Sequence, residues 1–254
     1  SISFGSTLAS FKQAFTRVRQ LANVLQKLEL SPGDVVGTMA WNDFRHFELY
    51  YAIACAGMIC HTVNPRLFPR QIEFIVDHAQ DKWLFVDPAF AGTVMVLEKN
   101  LSALRGVVVL TDAHHMPEGL PSNWLCYETL LNSCGDNFDW PAINENAACG
   151  ICYTSGTTGN PKGVVYSHRS TVLHSLVQMS PDAMCLSRHD VVLPVVPMFH
   201  ANAWGVPYTG TLVGAKMVFP GHKLGDGKTL TDLINQEQIN YAAAVPTIWQ
   251  LLQQ

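Results

Sequence analysis

The sequence predicts an α/β fold: two subdomains, each a largely parallel sheet covered by helices. Two observations carry this. Short apolar runs alternate with helical patterns along the chain, which is how parallel strands and covering helices read in sequence. The alternation weakens between Thr111 and Asn146, where Pro117, Gly119, Pro121, Gly135 and Pro141 fall, and restarts at Ala148. That break predicts a first subdomain with its connection over 1–146 and a second over 147–254.

Each element has a local reason. Phe11, Phe15, Val18, Leu21, Ala22, Leu25 and Leu28 recur at spacings of three and four, predicting an amphipathic helix over Thr7–Leu28. Ser31-Pro-Gly-Asp34 is a turn, and Val35–Met39 reads as a buried strand. Asn42 is a candidate cap for a helix through Ala56 that Gly57 ends. Ile59–Val63 is a strand, and Pro69, at a first helical position, opens a helix through Ala79. Trp83–Asp87 and Val107–Leu110 are further strands. In the second half, strands are predicted at Ala148–Tyr153, Val164–Tyr166, Val191–Val195, Lys216–Phe219 and Tyr241–Val245. Helices are predicted from a Ser167 cap through Met179 and around Leu230–Gln236, and the chain ends inside another at Leu251–Gln254.

Composition excludes several classes. With 254 residues, 48% hydrophobic and 14% charged, the profile is globular. A net charge of −4 without a dense basic run argues against nucleic acid as a partner. The longest apolar run, Tyr50–Cys60, is eleven residues, too short to span a bilayer. The seven cysteines are odd in number and show no paired framework, so reduced thiols and a cytoplasmic setting are expected. Cys149 and Cys152 are nominally C-x-x-C, but on a strand they face opposite sides, so one metal could not take both. His114-His115, the His46-Phe-Glu48 triplet and Asp77-His78 lack metal or hydrolase spacing. The charged face of the first helix (Lys12, Arg17, Arg19, Lys27) reads as solvated.

The most informative stretch is Tyr153-Thr-Ser-Gly-Thr-Thr-Gly-Asn-Pro-Lys-Gly163. Thr154, Ser155, Thr157 and Thr158 alternate with Gly156 and Gly159, and Lys162 brings a mobile positive charge. Glycines let backbone N–H groups converge, and hydroxyls add donors; such a loop suits polyphosphate. It is not a Walker A loop, because Pro161 precedes Lys162 and Gly163 follows it.

The loop resembles that of the adenylate-forming superfamily: acyl-CoA synthetases, luciferases and the adenylation domains of peptide synthetases. Val196-Pro-Met-Phe-His-Ala-Asn-Ala-Trp-Gly-Val-Pro-Tyr208 resembles the medium- and long-chain fatty acyl-CoA synthetase branch. The likeness extends to Gly33-Asp34, Met39–Asn42, His61–Pro65 and Gly214–Lys216. It implies two stacked α/β subdomains, part of an N-terminal domain. It also implies a reaction in which a fatty carboxylate attacks the α-phosphate of ATP, and coenzyme A then takes the acyl group and releases AMP.

By the resemblance, Thr154, Ser155, Gly156, Thr157, Thr158, Gly159 and Lys162 hold the phosphates. Lys162 stabilises charge building on pyrophosphate. Thr154 offers one oxygen to Mg²⁺, whose usual glutamate partner belongs to an aromatic-Gly-x-Thr-Glu motif beyond the last residue. His200 is either a loop histidine bonded to backbone or a residue bordering the acyl-adenylate. It is not needed as a general base, since a fatty carboxylate is already ionised at neutral pH. Trp204 is either a core aromatic near a helix start or the gate of a fatty-acid tunnel. Ala201 stands where a larger aliphatic is common.

The resemblance further implies a homodimer, leaves peripheral membrane contact open, and makes the chain an incomplete ligase inactive by itself. Apolar side chains or a strand edge are expected on the face meant for the remainder. Two other readings stay open: a ligase for another carboxylate, aryl or amino acid, and a non-catalytic nucleotide-binding module.

Overall fold

The helix expected from Thr7 starts later, because the chain first makes two strands. In the computed structural model, which describes residues 1–4, 7–154 and 160–253, Ile2–Phe4 (β1) and Thr7–Ala9 (β2) pair antiparallel, and the helix (α1) runs Phe11–Lys27. Ser10 and Gln13 set its start. The Gln13 N–H donates to Ser10 Oγ (3.2 Å) and the Ser10 N–H to Gln13 Oε1 (2.8 Å). This is a capping box, and its Ser-x-x-Gln spacing is readable in sequence.

The chain continues through β3 (Val35–Met39), α2 (Phe44–Cys55), β4 (Ile59–Thr62), α3 (Pro69–Ala79), β5 (Asp81–Val86), α4 (Ala91–Leu97) and β6 (Gly106–Val109). The Pro- and Gly-punctuated stretch contains a 3₁₀ turn at Ala113–His115, β7 (Leu125–Cys126) and α5 (Tyr127–Asn132). Then come β8 (Ala148–Thr154), β9 (Lys162–Ser167), α6 (His168–Gln178), β10 (Val191–Pro194) and α7 (Val206–Val213). The described chain closes with β11 (Lys216–Phe219), α8 (Gly227–Glu237), β12 (Tyr241–Ala243) and α9 (Pro246–Leu251).

The expected α/β architecture is present as two largely parallel sheets. One has the order β7-β6-β5-β3-β4-β8-β9 and is parallel except for β8–β9. The other has the order β12-β10-β11-β1-β2 and is parallel except for β1–β2. Two compact units follow the sheets. Phe15–Ala40 with Glu48–His168 carries the seven-stranded sheet; Ser1–Ala14, Trp41–Phe47 and Arg169–Gln254 carry the five-stranded one.

The boundary expected at 146/147 is therefore corrected. Beyond it, β8 pairs with β4; before it, β1 pairs with β11. The irregular stretch is long because the chain must return from β7, at one edge, past β6, β5, β3 and β4. It is a crossover within one sheet, not a link between two.

In the first unit the core gathers Met39, Ile75, Val86, Val107 and Tyr153. In the second, Leu193, Val218, Leu224 and Leu230 pack together. The face of α1 expected to be solvated is corrected at two positions. Arg17 lies 2.6 Å from Glu48 and 3.0 Å from Glu128, and Arg19 lies 2.8 Å from Asp136. Burial raises the Glu48 carboxyl, Arg17 opposes this, and the Tyr127 hydroxyl donates to the same carboxylate (2.7 Å).

The seven cysteines are free thiols. Among the described residues no helix is long and apolar enough to cross a membrane.

Candidate phosphate and acyl site

Strands β8 and β9 bring the two ends of the Gly/Thr-rich loop together. Thr154 and Lys162 are direct partners in the antiparallel ladder, both exposed. Residues directly opposite in such a ladder put their side chains on the same face. The hydroxyl and the ammonium group thus share one side of the loop's mouth. Ser155, Gly156, Thr157, Thr158 and Gly159 lie outside the described residues.

One pair further back, Tyr153 opposes Gly163. A Cβ at Gly163 would sit 3.1 Å from the Tyr153 ring, so the glycine of Pro-Lys-Gly leaves room for that ring. Tyr153 is buried, and its hydroxyl lies 2.6 Å from His78 Nδ1. Burial, then the charge of Asp81, raises the Tyr153 phenol, keeping it protonated. The His61 ring is 5.0 Å from the Tyr153 ring, and His61 Nδ1 donates to the buried Asp81 carboxylate at 2.8 Å. A Cβ on Gly37 would come within 2.7 Å of Asp81 Oδ2, so that glycine makes space for the pair. His78, from a pair that reads as chemically silent, thus anchors the strand that enters the loop.

The second unit presents His200 and Trp204 on an unusual backbone. Ala201, Asn202, Ala203 and Trp204 all have positive φ (45°, 50°, 49° and 56°), followed by Gly205 at 77°. This is one turn of left-handed helix, which costs a non-glycine residue about 1–3 kcal/mol each and persists only where surroundings over-determine it. His200 enters the turn in extended conformation with its ring exposed. Of the two readings for it, the loop histidine bonded to backbone finds no ring hydrogen bond among the described residues. Trp204 is 39% exposed, so the core-aromatic reading is corrected. The following Gly205, at positive φ, packs against His174. A Cβ there would lie 2.7 Å from the His174 ring.

Two residues hold this segment: Asn42, expected as a helix cap, and Gln178, which the sequence did not single out. Asn42 does not cap α2; Asp43 does, accepting from the His46 N–H at 2.8 Å. Asn42 is fully buried instead. It donates to the carbonyls of Pro194 (2.8 Å) and Val196 (2.9 Å), and accepts from the Met198 N–H (2.6 Å). It thereby fixes the backbone leading to His200. Gln178, at the end of α6, donates to the Trp204 carbonyl (2.5 Å), and its own carbonyl accepts from the Thr209 hydroxyl.

The described residues supply a cation and a hydroxyl at the loop mouth, and an aromatic and an imidazole on a rigid turn. Thr154 fits an ion that takes one or two protein oxygens and completes its shell with water and phosphate. Among the described residues no cluster of three His, Cys, Asp or Glu side chains could hold a metal.

The AMP-binding enzyme family model matches residues 2–254. The chain belongs to that family. It is 46% identical over 244 residues to a medium-chain-fatty-acid–CoA ligase of Ectopseudomonas oleovorans, covering 96% of this chain and 44% of that protein. It is 46% identical over 248 residues to a 3-methylmercaptopropionyl-CoA ligase of Ruegeria lacuscaerulensis, covering 96% and 45%. The chain spans less than half the length of these relatives. A crystal structure of an anthranilate CoA ligase in complex with anthranoyl-AMP superposes with a TM-score of 0.89 at 20% identity, covering 99% of this chain and 47% of that one. At that identity the likeness is one of fold.

Proposed function

We propose that the full-length protein is an ATP-dependent fatty acid:CoA ligase. The observation that carries this is the placement of Thr154 opposite Lys162 across the mouth of a loop of glycines and hydroxyls. The relatives named for medium-chain fatty-acid–CoA and long-chain-fatty-acid–CoA ligases, the latter from Thermus thermophilus, support it.

In this reading the loop amides and hydroxyls and Lys162 hold the β- and γ-phosphates. A fatty carboxylate attacks the α-phosphorus, the bond to the bridging oxygen breaks, and pyrophosphate leaves with its charge spread over these donors. The acyl-adenylate then loses AMP to the thiol of coenzyme A. Magnesium, with Thr154 as one ligand, supplies charge neutralisation on the departing phosphates. His200 and Trp204 border the acyl group. A cytoplasmic homodimer remains part of the proposal.

A second reading is favoured by one observation: the Ruegeria relative's name specifies a short thioether acid. Thioester formation by the full-length protein across acids of graded length, with aryl and amino acids included, separates the two. The Lys162→Ala variant tests the loop. A ligase loses adenylation by roughly a hundredfold or more, as when a charge-stabilising donor is removed. An unchanged rate, or release of ADP instead of AMP and pyrophosphate, overturns the assignment.

A further inference from the structure

We propose that Gln178 is a positioning residue that holds the left-handed turn 201–205, and with it Trp204 and His200, in the orientation needed to meet the acyl chain. The proposal rests on the reading of Trp204 and His200 as acyl-side residues.

The inference begins with α6. Its large apolar residues face outward: Val172, Leu173, Leu176 and Val177 are 54%, 48%, 50% and 62% exposed. Its polar residues Ser175 and Gln178 are 3% and 4% exposed. A buried glutamine costs stability unless every polar atom is paired, and Gln178 is paired at both ends. Its Nε2 donates to the Trp204 carbonyl, and its Oε1 accepts from Thr209 on α7. His174, one turn earlier on the same face, donates from Nε2 to that same carbonyl at 3.1 Å. Both lone pairs of the Trp204 carbonyl are thereby engaged.

The arrangement has one sense only. Flipping the Gln178 amide would set its oxygen against the Trp204 carbonyl oxygen, so that carbonyl, which only accepts, fixes the orientation that donates to the turn, and the Thr209 hydroxyl donates to the amide oxygen left facing it. The held carbonyl lies in the strained segment itself, where Asn202, Ala203 and Trp204 have ψ of 40°, 41° and 24°. Without the bonds, right-handed or extended backbone is favoured at those three residues. Releasing the carbonyl would let Trp204, the exposed side chain of the turn, leave its place. A leucine at 178 would pack as well, so the choice of glutamine is explained by the bond it gives.

The test uses the full-length protein with Gln178→Leu, which keeps the volume and removes both bonds. Thr209→Val, an isosteric change that removes the hydroxyl, serves where Gln178→Leu folds poorly. The expected result has two parts. Amides of residues 202–205 exchange about tenfold faster while those of β10 and β11 are unchanged. The KM for the carboxylic acid rises roughly five- to tenfold and its dependence on chain length changes, while the KM for ATP does not. Unchanged exchange at 202–205 overturns the brace. Faster exchange with unaltered acid kinetics overturns the positioning role if Trp204→Ala does alter them. If Trp204→Ala also leaves acid kinetics intact, the acyl-side reading itself is wrong and the positioning role falls with it.

Discussion

Asn42 uses its whole amide on another segment's backbone, and that makes its replacement costly. Asn42→Ala leaves two carbonyls and one N–H of Pro194–Met198 buried without these partners. Each such orphan costs about 1–3 kcal/mol, so the folding free energy falls by roughly 3 kcal/mol or more. Urea unfolding with an unchanged m-value would show it; a loss under about 1 kcal/mol would mean the segment holds itself. His46 sets a different sensitivity. It is fully buried, and burial lowers its imidazole to about 4, against the opposing pull of the Trp41 carbonyl to which Nδ1 donates at 3.0 Å. Its folded pKa is depressed, so the unfolded chain binds the proton first. The stabilisation is complete above the ordinary histidine pKa and is lost as pH falls through about 4. Over that window it amounts to roughly 3 kcal/mol at most. His46→Gln should flatten the stability–pH curve between those limits. An equal slope in both proteins would show that His46 does not titrate with folding. Neither role was legible beforehand. Asn42 and Asp43 are equally good caps on local grounds, and only the tertiary partners decide between them.

At the scale of elements, local chemistry located most helices and strands, and failed where partners outside the element decide. Pro69 and the following periodicity fix α3 at its observed limits, Pro69–Ala79. Periodicity alone over-extended α1, because it cannot see that β2 pairs with β1. The left-handed turn had even less signature: apart from Asn202 and Gly205 its residues do not favour positive φ. In α6 the limits were legible but the orientation was not, since hydropathy would turn Val172 and Leu176 inward. The observed orientation has a measurable consequence. Leu176→Gln, on a half-exposed side chain, should change the stability of this chain by under about 0.5 kcal/mol. Leu25→Ala, at a fully buried position of α1, should cost about 2–5 kcal/mol. Chemical denaturation of both variants checks the pair. A cost for Leu176→Gln near that of Leu25→Ala would mean that α6 buries the opposite face.

Over the whole chain, the alternation of strand and helix made the parallel sheets legible, but strand order is a long-range property that no local pattern encodes. The same limit misplaced the division at residue 146. The chain passes between its two units at 14/15, 40/41, 47/48 and 168/169. Three of these passages fall within helices: α1 runs Phe11–Lys27, α2 runs Phe44–Cys55 and α6 begins at His168. A helix cannot melt over one half without fraying the other, since its hydrogen bonds reach four residues along the chain. Unfolding should therefore be a single transition, and core variants in either unit, Leu25→Ala or Val218→Ala, should shift the same midpoint by two independent probes. The sharper trial is to cut the chain after residue 146. That severs β8 and β9 from β4, and β1 from β11, so each piece loses strands of a sheet it needs. Neither piece alone should show a cooperative transition, and mixing them should restore it in part. A piece spanning 1–146 that unfolds cooperatively, with the m-value expected for its length, would show that the first five strands of the larger sheet suffice and that the sequence break marks a true boundary.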